Sequence, residues 1–188
     1  MLLYCIRAKK SSVSKCFYKI FPIVPYDSVI NGGHNKTIPK KEGVITGERE
    51  LYLLNMIYRN AEMGRDGLYF VLRKTDDTTF RKLIAAQLME YQNIMDEAED
   101  KMREAGSAPQ GNSTAEKMML RMAACKQVSQ DNSPSAMADM LIQGSSMGVT
   151  KIARQITHYT SHDANCLDLA KRLQATEENN IHQLKQYL

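Results

Sequence analysis

From Glu48 onward, apolar and small residues recur every three or four positions, the spacing that lines one face of an α-helix. Leu53, Met56, Met63, Gly67 and Phe70 carry this pattern through a long helix that ends near Lys74, and Asp76 and Asp77 predict a tight turn. A second helix follows from about Thr78 to Glu104, with Phe80, Leu83, Gln87, Glu90, Ile94 and Ala98 on one stripe. It stops where Gly106 can cap and Pro109 cannot continue. Ser113 with Glu116 three residues later has the capping-box spacing and opens a shorter helix that runs to about Val128. Ser133 then caps a third long helix, with Pro134 at its first position, that reaches about Tyr159. Thr160, Ser161 and His162 predict another tight turn. The last helix, from about Asp163 to the C-terminus, places Ala170, Gln174, Glu177, Ile181, Leu184 and Leu188 on its stripe.

Two helix pairs with tight turns, separated by a longer connection that holds a helix of its own, predict an all-α chain. The expected architecture over residues 46–188 is an antiparallel four-helix bundle with one crossover connection. The chain also repeats itself. Met56-Ile57 and Met63-Gly64 in the first helix match Met140-Leu141 and Met147-Gly148 in the third at an offset of 84 residues. Gln87, Glu90, Asn93 and Ile94 match Gln174, Glu177, Asn180 and Ile181 at an offset of 87. An internally duplicated helical hairpin accounts for both, and the Met-Gly pairs predict close approach of the first and third long helices.

On these stripes the second and last helices each direct a Gln and a Glu inward, with Asn93 and Asn180 one turn along. Burying an unpaired carboxylate costs several kcal/mol, so such a layer calls for a cation, a basic partner or a proton. The arrangement resembles the ferritin-like superfamily, in which two Glu-x-x-His motifs and two further Glu residues hold a di-iron site on this crossover topology. The chain is similar to a group of uncharacterised bacterial ferritin-like proteins over about Glu48 to Leu188. The resemblance implies a metal layer of Glu90, Glu177, Asn93, Asn180, Gln143 and Glu62, with iron or manganese as the metal. It departs from the family pattern by placing Asn93 and Asn180 where histidines stand, which removes both nitrogen donors.

The first 45 residues hold no sustained period; Pro22, Pro25, Pro39 and Asn31-Gly32-Gly33 predict a weakly ordered basic tail. A non-Met start near Val44 would leave this tail outside the native product, since the next methionine is Met56. Eight basic residues against Asp27 and Glu42 account for the formal charge of +4 and leave the remainder near −2, so a nucleic-acid surface is not expected. No apolar run approaches a membrane span or a secretion signal, which predicts a cytoplasmic protein. Cys5, Cys16, Cys125 and Cys166 lack metal-ligand or disulfide spacing and read as free thiols. His158 and His162 read as surface residues, and His182 with Glu178 as a polar flank. Met118, Met119, Leu120, Met122 and Cys125 give the crossover helix an apolar surface on which a homodimer could form. Two functions follow: a non-catalytic scaffold whose polar layer replaces a di-iron site, or a metal-binding ferritin-like protein with an Glu-x-x-Asn ligand set.

Overall fold

The structure, a computed structural model, describes residues 42–128, 131, 133–159 and 164–188. The tail expected over 1–45 falls mostly outside them, as do the turn at 160–162 and the side chains of Leu120 and Cys125. Among the described residues the chain is all-helical: α1 (Glu42–Leu72), α2 (Thr78–Glu104), α3 (Thr114–Val128), α4 (Pro134–His158) and α5 (Ala164–Leu184), followed by one 3₁₀ turn (Lys185–Tyr187). α1 begins at Glu42, earlier than the apolar period indicates. Among the described residues no helix is long and apolar enough to cross a membrane.

The helix ends follow local chemistry. Asp77 accepts the Phe80 N–H at 2.7 Å and caps α2. Ser133 accepts the Ala136 N–H at 3.2 Å and caps α4, with Pro134 in the first turn. The capping box closes in both directions: the Ser113 N–H donates to Glu116 Oε2 at 2.7 Å, and the Glu116 N–H donates to Ser113 Oγ at 3.2 Å. α2 ends in a Schellman motif, in which Gly106 takes φ +72°. The Ser107 N–H then reaches Met102 O at 2.8 Å and the Gly106 N–H reaches Arg103 O at 2.9 Å.

The buried stripes are rotated slightly from the expected ones. α2 buries Phe80, Ile84, Gln87, Tyr91, Ile94 and Ala98, so Ile84 and Tyr91 replace Leu83 and Glu90. α5 buries Cys166, Ala170, Leu173, Glu177, Asn180 and Leu184, so Leu173 replaces Gln174 and Asn180 replaces Ile181. Both stripes use steps of three and four; what differs is the order of the steps. Inserting Tyr91 buries a large ring with one polar atom, whereas inserting Glu90 would bury a second carboxyl with no cation. The two stripes correspond at a shift of 86 residues, not the 87 of the Gln-Glu-Asn match, which is why Glu177 is buried while Glu90 is exposed.

Of the two Met-Gly pairs expected to bring α1 and α4 together, Gly148 does so through Asn60, whereas Gly64 faces α2 instead. A Cβ on Gly64 would lie 2.6 Å from the Tyr91 ring, and a Cβ on Gly148 would lie 2.6 Å from Glu177 Oε1 and 3.2 Å from Asn60 Oδ1. Gly64 therefore admits a side chain of α2, and Gly148 one of α5 together with one of α1. The contact of α1 with α4 at Gly67 is ordinary, 3.7 Å from Leu141. Gly148 also offers its carbonyl, which accepts from Asn60 Nδ2 at 3.2 Å.

Helical Gly→Ala substitutions separate close packing from backbone entropy. Gly144 has open space around its Cα, so Gly144→Ala is expected to gain about 0.5–1 kcal/mol. Gly64→Ala is expected to lose about 1–3 kcal/mol because the Tyr91 ring must move. Urea denaturation of both variants checks this, and a gain at Gly64 would mean that the Tyr91 contact is not tight.

Candidate functional site

The layer expected to hold metal is divided among three environments. Glu177 and Asn180 on α5 are each 2% exposed and lie in the interior. Glu90 and Asn93 on α2 are exposed, against the expectation that they face Glu177. Gln143 on α4 is half-buried and donates to Asp139 Oδ2 at 2.7 Å, within its own helix. Glu62 on α1 is buried, but at the junction with the segment that links α2 to α4. The six residues are therefore not gathered into one buried site.

Glu62 is a structural anchor. Its carboxylate accepts from Lys117 Nζ at 2.5 Å, from the Asn112 N–H at 2.6 Å and from Asn112 Nδ2 at 2.8 Å. Neighbouring contacts fasten the same stretch to α1. The Gln110 N–H donates to Asn55 Oδ1 at 2.7 Å, Asn112 Nδ2 donates to Arg59 O at 2.8 Å, and Arg59 pairs with Glu116 at 2.7 Å. Burial pushes the Glu62 carboxyl up, but the hydrogen bonds from Lys117 and Asn112 outweigh it, and the group stays ionised below its ordinary range.

Glu177 has the opposite fate. Burial drives its pKa up to about 7, against the hydrogen bonds of the Ser145 and Tyr91 hydroxyls, and no charged partner contributes. Its Oε2 has no hydrogen-bond partner among the described residues. The Tyr91 phenol, buried beside it, is itself raised well above its usual value, first by burial and then by Glu177. Tyr91 and Ser145 oxygens stand 3.5 Å apart, and Asn60 reaches the same patch of α4 at Gly148. The interior layer thus consists of one near-neutral carboxyl, a phenol, a hydroxyl and the amides of Asn60 and Asn180.

The donor set does not fit a pair of iron or manganese ions, which want several ionised carboxylates and imidazoles. Among the described residues no three His, Cys, Asp or Glu side chains converge, and His158 and His182 are exposed. Glu178, exposed, accepts from Gln174 at 2.9 Å. Cys166 is buried. Tyr91 and Ser145 were not evident from motif spacing. The available signal was a phenol one residue from the Glu90 stripe, and a hydroxyl three residues before Gly148.

The two buried carboxyls should respond oppositely to pH. Glu177 has a folded pKa of about 7, above its ordinary 4.5, so the folded state holds the extra proton. Its contribution is full below about pH 4.5 and lost as pH rises through about 7. Glu177→Gln is then expected to equal wild type near pH 4.5 and to exceed it by up to about 3 kcal/mol near pH 8. Glu62 has a depressed folded pKa, so its contribution is present above about 4.5 and lost as pH falls through the folded value. Glu62→Gln is expected to cost about 1–2 kcal/mol at neutral pH and progressively less in acid. Denaturation at a series of pH values reads both, and parallel curves for wild type and either variant would contradict the assignment.

Comparison with protein-family models, with curated proteins and with solved structures finds no match, so the site is read from its own geometry.

Proposed function

We propose that the chain is a cytoplasmic, ferritin-like helical-bundle protein that acts as a non-catalytic scaffold, with a hydrogen-bonded polar layer where relatives of that fold hold two metal ions. In this reading the bundle is antiparallel with one crossover and descends from a duplicated hairpin. Gly64 opposite Tyr91 and Gly148 opposite Glu177 support the duplication, each glycine receiving the large side chain of the next long helix. The observation that carries the functional reading is the isolation of Glu177. It is the central layer's buried carboxyl, it sits near neutrality, and its sequence counterpart Glu90 is exposed.

A lone buried carboxyl that titrates at about 7 among hydroxyls and amides sets the registry of packed helices, as buried polar residues do when each alternative packing would strand them. The Glu-x-x-Asn metal reading loses support because one of its two pairs, Glu90 with Asn93, faces solvent. A scaffold also needs a contact surface. Met118, Met119 and Met122 of α3 are exposed, and in this reading they seat a second copy of the chain.

Protein purified without chelators is expected to carry no stoichiometric iron or manganese, and its melting temperature is expected to be unchanged by EDTA. Stoichiometric metal together with a loss of many degrees in EDTA would overturn the scaffold reading. Light scattering at high micromolar concentration should find a dimer that Met118→Glu with Met122→Glu converts to monomer. A wild type that is monomeric throughout removes the dimer from the proposal.

A further inference from the structure

The close of α1, the start of α2 and the 3₁₀ turn lie together at one end of the protein. Arg81, in the first turn of α2, donates to the carbonyls of Leu72 at 2.7 Å and Thr75 at 3.0 Å, where α1 closes. The Phe80 ring packs on Tyr187 of the 3₁₀ turn, with centroids 4.6 Å apart. Arg73, Lys74, Arg81, Lys82 and Lys185 are thereby brought to one small region, and all five are exposed. Five of the 17 Lys and Arg in residues 46–188 stand here, against Asp76 and Asp77 of its 19 Asp and Glu. Even with a carboxylate on Leu188 counted, this end is positive on a body whose remaining formal charge is negative.

Seven Lys and Arg side chains elsewhere hold a carboxylate, Arg59, Lys117 and Arg172 among them; none of these five does so among the described residues. Cations left unneutralised attract an anionic surface, each adding about fivefold to the affinity at low salt and less as salt rises. Spread over three segments and each exposed, they suit a surface that presents many anions in a plane rather than one small anion. Tyr69 lies one turn before Arg73 on the same side of α1 and is 48% exposed, and a ring with a polar tip settles among lipid headgroups. Leu188 is exposed beside Tyr187. A nucleic acid would engage the cations through its phosphates but gain nothing from Leu188.

We propose that this end of the protein docks on an anionic phospholipid surface, with Arg73, Lys74, Lys82 and Lys185 among the headgroups and Tyr69 at their edge. The surface involves no group of the Glu177 layer, and docking does not depend on the scaffold reading.

The test is sedimentation of the full chain with vesicles of about 30% phosphatidylserine in phosphatidylcholine, and with vesicles of phosphatidylcholine alone, at about 0.1 M salt. Stronger binding to the anionic vesicles is expected. Lys74→Gln, Lys82→Gln and Lys185→Gln together remove three exposed charges that make no ion pair, and are expected to weaken that binding about 100-fold while the melting temperature holds. Lys101→Gln, Arg103→Gln and Lys171→Gln remove the same charge farther along α2 and α5, and are expected to change it by less than about threefold. The basic residues 1–45 are common to wild type and both variants, so the difference between the variants reads this end alone. No binding to the anionic vesicles, equal binding to the uncharged ones, or equal losses in the two triple variants would each overturn the proposal. In the first case, retention of a single-stranded oligonucleotide by the same lysines would assign the surface to nucleic acid instead.

Discussion

A carboxyl group at the centre of a helical protein must be matched, and at Glu177 nothing charged matches it. The surroundings answer by holding it close to neutral and supplying hydroxyls from two other helices, Tyr91 of α2 and Ser145 of α4. The glycine at position 148 lets the carboxyl approach the α4 backbone, and Asn60 of α1 binds the carbonyl of that same glycine. All four long helices therefore contribute to one small region. A shift of any helix by one turn would leave at least one of these groups buried and unpaired, at about 1–3 kcal/mol each.

The same constraint explains how far the sequence could be read. Helix number, the short turns and the caps at Asp77, Ser113 and Ser133 are local, and each was legible because a side chain within three residues supplies the missing bond. The stripe was legible only to within one residue. Leu83 and Ile84 are both apolar, and Glu90 and Tyr91 both end in polar oxygen, so steps of three and four fit in either order. Partner helices decide that order: the Tyr91 ring fits against Gly64, a fact that no periodicity in α2 contains. The repeat of Gln, Glu and Asn at 87 residues then drew Glu90 into the interior by analogy with Glu177, although burial follows a shift of 86.

Glu62 illustrates the other gap. As the acid nearest the middle of α1 it fits a metal layer on paper, but its partners, Asn112 and Lys117, lie about 50 residues away on the connection. No pattern within α1 foretells that contact. Once made, it turns what would be an expensive buried charge into the fastening of the segment between α2 and α4, because backbone and side-chain donors converge on it with a cation.

That fastening also decides what the start of α3 is attached to. Asn55, Arg59 and Glu62 hold residues 110–117 along α1, so the start of α3 is tied to α1 rather than hanging free between α2 and α4. If two copies exchanged hairpins, or if a protease opened the chain ahead of Pro134, the division would fall three helices against two. The first fragment would keep its own cover over Glu62, and the second would carry Gly148 and Glu177 away together.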